Sequence, residues 1–163
     1  MTTEQVRATT TIDATPAAVF AALADPATHA AIDGTGWVQA SLDGDEHGGR
    51  TITAAGQVFR MAMHHPDHPD GVYETANRVE VFDPPAAIAW LTGTEDPETG
   101  ELAFGGWWWR YDLAPAGSTQ TTVTLTYDWS DVPARIRAYL SFPPFPPEHL
   151  DRSLRHLGDI VTG

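Results

Sequence analysis

The chain has 163 residues, 42% hydrophobic and 10% aromatic, which is typical of a globular protein of one domain. Its formal net charge is −13, from 9 basic and 22 acidic residues, and this sign disfavours nucleic acid and anionic membranes as partners. All basic residues are arginine and no cysteine occurs, which excludes lysine Schiff bases, thiol catalysis, disulfides and thiolate metal sites.

The N-terminal segment lacks the apolar run that is typical of a secretory signal. No stretch approaches the roughly 18 consecutive apolar residues that a membrane-spanning helix needs. We therefore expect a cytoplasmic protein without a membrane partner, folded as one domain over residues 1–163.

The first part of the chain predicts a strand followed by two short helices. Residues 7–13 alternate and are rich in threonine, which favours a strand. A capping side chain followed by proline then occurs twice, and this start signal predicts helices over 17–24 and 27–32.

From residue 37 onward the hydrophobic period changes to two. It predicts six further strands between turn-forming segments, at about 37–42, 51–63, 72–83, 87–93, 105–114 and 120–129. A short helix over 131–140 follows, and then an extended proline-rich segment, 142–147, whose Phe142 and Phe145 we expect near any cavity mouth.

The last predicted element is an amphipathic helix over 148–161. Its apolar stripe consists of Leu150, Leu154, Leu157 and Val161. The element order predicts an α+β fold in which the helix covers the apolar face of a seven-stranded antiparallel sheet. Each strand is expected beside its neighbour in sequence, and two short helices follow the first strand.

Several stretches resemble the START-like or SRPBCC superfamily, which includes polyketide cyclases and dehydrases. The resemblance extends over nearly the whole chain and includes the terminal helix. Its motifs are T-T-I-D-A-T-P-A-A-V-F at 10–20, G-Q-V-F at 56–59, N-R-V-E-V-F-D-P-P at 77–85, I-A-W at 88–90, W-R-Y-D-L at 109–113 and V-T-L-T-Y-D-W at 123–129.

This resemblance implies the helix-grip fold, in which the sheet curls around the terminal helix and leaves a cavity between them. The glycine-rich loop of the plant-type members corresponds to residues 44–49. Here that loop carries two carboxylates, so an anion-binding loop is not expected.

Strand parity assigns side chains to the inner face, since alternate residues of a strand face opposite sides. Val79 and Val81 are assigned inward by this rule and Trp108 outward. No inward carboxylate or arginine stands out as the acid or base of an enzyme. With the stripe of the terminal helix, the inner face gives the candidate ligand-binding residues: Phe59, Met61, Met63, Tyr73, Thr75, Asn77, Trp90, Trp107, Trp109, Tyr111, Tyr127, Trp129, Leu150, Leu154 and Leu157.

Two histidine-containing groups are candidates for metal binding or catalysis. The segment 64–70 holds three His and two Asp, but its spacing favours a polar hairpin tip, and we expect no obligatory metal. His149, Ser153 and His156 form a polar flank of the last helix, where a histidine bordering the cavity would suit general-base catalysis. No catalytic residue is assigned and no cofactor is expected.

Three functions remain open at this point. The first is binding of a small hydrophobic molecule, aromatic or polyketide-like, between sheet and helix, since an apolar cavity with few polar groups suits such a ligand. The second is a cofactor-independent cyclase, aromatase or dehydratase. The third is an interaction module similar to the chaperone co-activators of the family, for which the outward Trp108 is the one indication.

Overall fold

The structure is a computed structural model that describes residues 4–33, 37–42, 51–65, 71–146 and 148–162. The strands within these ranges are β1 (Gln5–Ile12), β2 (Val38–Ser41), β3 (Val58–His64), β4 (Val72–Asp83), β5 (Ala87–Glu95), β6 (Leu102–Pro115) and β7 (Thr121–Asp128). The α-helices are α1 (Pro16–Leu23), α2 (His29–Ile32), α3 (Ala134–Arg137) and α4 (Glu148–Thr162), and a 3₁₀ turn, Pro26–Thr28, precedes α2.

All these strands form one antiparallel sheet in the order β1-β7-β6-β5-β4-β3-β2. The expectation that every strand lies beside its neighbour in sequence is wrong at β1, which pairs with β7. The two short helices α1 and α2 carry the chain away from β1, and β2 pairs with β3 at the opposite edge. An antiparallel seven-stranded sheet is confirmed, with one long connection in place of a hairpin.

The long helix α4 packs on β1, β7, α1 and α2 through its leucine stripe. Leu150, Leu154 and Leu157 are each no more than 1% exposed. The sheet curls around this helix, and the helix-grip fold expected from the sequence is confirmed. The α4 leucines belong to a hydrophobic core that also includes buried residues of β3 to β6, such as Phe59, Val79 and Ile88.

The start of α1 follows the local chemistry that the sequence indicated. Thr15 has an extended backbone, and its hydroxyl accepts a hydrogen bond from the Ala18 backbone N–H at 3.3 Å. Pro16 occupies the first helical position, where no N–H is needed. Asp25 caps the following 3₁₀ turn in the same way, by accepting from the Ala27 backbone N–H at 3.0 Å.

Strand β3 begins at residue 58 and not at 51 as expected. Gly56 has a φ of +91°, and its N–H donates to the Val79 carbonyl at 2.7 Å, so the chain turns there before it joins the sheet. The N–H of Ile52 donates to the Ala24 carbonyl at 2.7 Å, and its side chain is 1% exposed. Residues 51–57 thus form a loop that plugs one end of the core.

A β-bulge in β4 corrects one parity assignment. Val79 lies opposite Trp90, but Val81 lies opposite Ala89, so one extra residue enters the strand between them. Phe82 then faces the core and packs against Phe20 with ring centroids 5.4 Å apart. The inward assignment of Val81 is therefore wrong, because the bulge exchanges the two faces of the strand.

Gly106 brings the chain that follows β7 close to β6. Its φ is +97°, and a Cβ at this position would lie 2.5 Å from the Asp131 carbonyl oxygen. A residue with a side chain would therefore push residues 131–132 away from the strand. This close approach positions α3 and the segment after it beside the open end of the sheet.

In the part of the chain that the structure describes, no helix is both long enough and apolar enough to cross a membrane. The glycine-containing loop 44–49 lies outside the described residues.

Candidate functional site

A cavity of about 680 Å³ lies between the inner face of the sheet, α2 and the segment that follows α3. Its walls are mainly aromatic and apolar, and a few polar side chains reach it. The candidate residues that line it are Phe59, Met61, Met63, Tyr73, Thr75, Asn77, Trp90, Trp107, Trp109, Tyr111 and Tyr127.

The remaining candidates are packed in the core and do not line the cavity. Trp129 is 5% exposed and the three leucines of the α4 stripe are 0–1% exposed. These leucines contribute to the stability of the grip between helix and sheet. They are Leu150, Leu154 and Leu157.

Two groups of stacked rings form the aromatic walls. Trp90 stacks on His29 with centroids 5.2 Å apart and meets the edge of Phe59 at 5.4 Å. Trp109 stacks on Phe145 at 5.6 Å and lies 4.6 Å from Tyr127. Each ring thus packs on others of its group, and these contacts stabilise the positions of the rings in the wall.

A short hydrogen-bond chain crosses the wall formed by β4 and β5. The Thr92 hydroxyl donates to Oδ1 of Asn77 at 2.8 Å. Nδ2 of Asn77 donates to the Phe59 carbonyl and to the Thr75 hydroxyl oxygen, both at 3.3 Å. The Asn77 amide is therefore held in one orientation, and Thr92, which the sequence did not single out, becomes part of the wall.

Two tyrosines supply further hydroxyls. Burial raises the pKa of both Tyr111 and Tyr127, and the negative charge of Asp33 adds to the rise at Tyr111. Both hydroxyls are therefore un-ionised at neutral pH and carry a proton that they can donate.

The cavity wall also contains a carboxylate and a histidine that sequence reasoning missed. Oδ2 of Asp33 accepts the backbone N–H groups of Trp37 and Val38 at 2.8 and 3.0 Å. Nε2 of His29 donates to the Leu23 carbonyl at 2.8 Å, and burial lowers its pKa. The statement that no inward carboxylate stands out is thus wrong. The i, i+4 spacing of these two side chains, which puts them on one helix face, was the available signal.

The segment after α3 forms the mouth of the cavity. Phe142 and Phe145 both line it, where the sequence placed them, and Phe145 is 5% exposed. Tyr139 and Leu140 also line it but are 72% and 43% exposed. Exposed apolar side chains therefore surround the entrance.

Of the three polar residues on the flank of α4, one lines the cavity and the other two contact neighbouring segments. Ser153 lines the cavity. The His149 ring stacks on Phe145 at 5.7 Å, and its pKa is lowered by burial and by the charge of Arg152. Nδ1 of His156 donates to the Ile32 carbonyl at 3.2 Å, so this ring joins α4 to α2.

Among the described residues, no group of three or more His, Cys, Asp or Glu side chains could hold a metal ion. Most of the 64–70 segment, including His68, lies outside the described ranges. On the convex face, Trp108 lies in a shallow groove with polar neighbours that include Arg7, Arg110 and Thr124. The other described residues that line this groove are all polar, and the apolar residue opposite Trp108 in the sheet is Leu91.

These features define a helix-grip protein with an internal cavity lined by aromatic side chains. The chain belongs to the family described as polyketide cyclase / dehydrase and lipid transport, whose sequence profile matches residues 3–156. None of the curated proteins compared with the chain matches it.

Solved structures with the same fold come from several bacteria. Protein NE0264 from Nitrosomonas europaea has a TM-score of 0.66 at 13% identity, covering 97% of this chain and 94% of that chain. Protein Ms6760 from Mycobacterium smegmatis has a TM-score of 0.65 at 15% identity, covering 98% and 91%. Protein CV1439 from Chromobacterium violaceum has a TM-score of 0.63 at 19% identity, covering 98% of both chains. At these identities the likeness shows the fold alone.

Proposed function

We propose that the protein binds a small, planar, hydrophobic molecule, aromatic or polyketide-like, in the cavity between the sheet, α2 and the segment that follows α3. The observation that carries the proposal is a volume of about 680 Å³ bounded by stacked aromatic rings. Cavities that hold small molecules usually have about 300–1,000 Å³, apolar walls and a few polar groups that orient the ligand. A flat ligand against the wall that contains Trp90 and Trp109 would gain apolar burial and stacking together.

Fluorescence titration with prodan, an uncharged planar naphthalene ketone, tests this proposal. We expect saturable binding with a micromolar Kd, equivalent to about −8 kcal/mol. Met61→Trp would fill the cavity, since Met61 is 3% exposed and lines it, and should weaken binding more than about tenfold.

Val72→Trp is the matched control because it adds similar bulk at a position that is 62% exposed. This variant should bind prodan like the unaltered protein. Equal affinity for all three proteins, or no saturable binding at all, would contradict the proposal.

The position of the Asp33 carboxylate in the cavity wall favours a second candidate function, that of a cofactor-independent cyclase or dehydratase. Its carboxylate would take the α-proton of an enolisable ketone, and the Tyr111 hydroxyl would donate a hydrogen bond to the enolate oxygen. The negative charge of Asp33 contributes to the raised pKa of Tyr111, which agrees with this pairing.

Proton NMR of 2-tetralone in D₂O tests the catalytic candidate. The protein should accelerate exchange of the α-protons, and Asp33→Asn should abolish the acceleration. The amide oxygen of this variant can still accept from the Trp37 and Val38 N–H groups, and prodan binding should be retained. Exchange at the buffer rate with the unaltered protein would rule this candidate out.

A further inference from the structure

One carboxylate belongs to a cavity wall that is otherwise mainly aromatic and apolar. Asp33 directly follows the last residue of α2 and lines the cavity. Among the described residues that line the cavity, none is an arginine, and the chain contains no lysine. Oδ2 of Asp33 accepts the backbone N–H groups of Trp37 and Val38, and such hydrogen bonds leave the charge of the carboxylate in place. A ligand in this cavity therefore meets a negative charge.

Electron-rich rings lie close to this carboxylate. Four tryptophans and four tyrosines line the described part of the cavity. Trp37 is one of them, and its backbone N–H donates to Asp33 at 2.8 Å, so this residue adjoins the carboxylate. Trp90 is another, and it stacks on His29, which precedes Asp33 by one helical turn. The faces of tryptophan and tyrosine rings attract cations, so the rings and the carboxylate favour a ligand of the same charge.

The charge of Asp33 also reaches hydroxyl groups on two strands of the sheet. Burial, and after it the charge of Asp33, raises the pKa of Tyr73 in β4 and of Tyr111 in β6. Both hydroxyls are un-ionised at neutral pH, and their oxygens can accept hydrogen bonds. They add acceptors to the cavity wall without adding charge.

His29 supplies a further acceptor beside Asp33. Its Nε2 donates to the Leu23 carbonyl at 2.8 Å, so Nδ1 keeps its lone pair. Burial lowers the pKa of this histidine, and the neutral ring brings no positive charge that would offset Asp33. This side of the cavity therefore combines one negative charge with a neutral nitrogen acceptor.

We propose that Asp33 and the rings around it form a site for an ammonium group, and that the ligand class is a protonated amine attached to a planar apolar body. This inference rests on the proposed binding function and narrows it. An uncharged ligand would displace water from the carboxylate without replacing its hydrogen bonds, which costs affinity, whereas an ammonium group replaces them. The net charge of −13 also raises the concentration of cations near the protein.

Competition between two naphthalene probes tests the inference. 2-Naphthylmethylamine, which is protonated at neutral pH, and 2-ethylnaphthalene have nearly the same shape and differ by an ammonium group in place of a methyl group. Each would be titrated against bound prodan. A cavity that recognises apolar surface alone would favour 2-ethylnaphthalene, because an ammonium group loses more hydration on burial. We expect the amine to bind more tightly instead, by about fivefold.

Asp33→Asn removes the charge and keeps an oxygen that can accept from the Trp37 and Val38 N–H groups. It should weaken binding of the amine at least about tenfold, the effect of losing one hydrogen bond to a charged group. Binding of prodan and of 2-ethylnaphthalene should not weaken, and retained prodan binding shows that the variant is folded.

Asp159→Asn is the matched control, since it makes the same change at an exposed position of α4 that does not line the cavity. The preference for the amine should survive in this variant. Its loss there as well would assign the preference to the net charge of the chain and overturn the site.

The outcomes distinguish the inference from the function on which it rests. Prodan binding together with equal or tighter binding of 2-ethylnaphthalene would overturn the ammonium site and leave ligand binding intact. An amine preference that persists unchanged in Asp33→Asn would overturn the assignment to this carboxylate. Absence of saturable prodan binding would overturn both the inference and the proposed function.

Discussion

The two ends of the inner sheet face are built differently. Around β1, β7 and α4 the face is aliphatic and closed, with Ile12, Val123, Leu125 and the α4 leucines at 0–4% exposure. From β3 to β6, and at Tyr127 of β7, the face is mainly aromatic and open, and about 680 Å³ remains unfilled. The same sheet thus provides a stable core at one end and a cavity at the other.

Side-chain shape explains the difference. Branched aliphatic side chains interdigitate and fill space closely against a helix. Trp90 stacks on His29 at a centroid distance of 5.2 Å and Trp109 stacks on Phe145 at 5.6 Å, and Ser153 is the one described α4 residue that lines the cavity beside them. Stability and ligand binding should therefore respond to different substitutions.

The largest expected effect is on the closed end. Leu154→Ala should lower the free energy of unfolding by about 2–5 kcal/mol, because Leu154 is 1% exposed in the α4 stripe. Urea denaturation measures this. Prodan affinity of the folded variant should stay unchanged. Arg155→Ala, an exposed neighbour on the same helix, should cost little. A loss below about 0.5 kcal/mol for Leu154→Ala would place that leucine outside the grip.

A smaller effect on the free energy of unfolding is expected when the pH falls, through His29 in the cavity wall. Burial lowers the pKa of His29 below 6.5, so the unfolded chain takes up the proton first as the pH falls. Stability should therefore be complete above about pH 6.5 and decline below it, by at most about 1.4 kcal/mol per pH unit.

Denaturation at several pH values measures the His29 contribution as a difference between proteins. His29→Gln keeps a donor for the Leu23 carbonyl but cannot titrate, so its stability should fall less steeply below pH 6.5. Parallel curves for the two proteins would show that His29 is not buried as described.

The smallest effect is expected in the polar wall. Asn77→Ala removes the donors to Phe59 and Thr75, but water can enter the open cavity and replace part of them. We expect a loss of about 1 kcal/mol in denaturation. Thr92→Val removes only the donor to Asn77 and should cost less. A loss of several kcal/mol for Asn77→Ala would mean that this wall is sealed from solvent.

Strand periodicity predicted most of the cavity wall, because alternation fixes which face a residue takes once the strand is recognised. It placed Trp109, Tyr111 and Tyr127 on one face. It failed at Val81, because a bulge inserts one residue and leaves no clear mark in the sequence.

Other parts of the site depend mainly on tertiary contacts. Helix α2 has four residues, too few for an amphipathic period, and Asp33 follows its last residue, so the i, i+4 spacing of His29 and Asp33 is only a weak signal of their inward positions. The pairing of β1 with β7 joins the two ends of the sheet-forming segment. Because these two strands are more than 100 residues apart in sequence, local sequence patterns do not specify their pairing.

A crystal structure with 2-bromonaphthalene, located by the anomalous signal of bromine, tests the central claim most directly. The account predicts one bromine site inside the cavity, against the wall formed by Trp90, Trp109 and Phe145. A cavity filled by side chains, or bromine found only in the convex groove at Trp108, would contradict it.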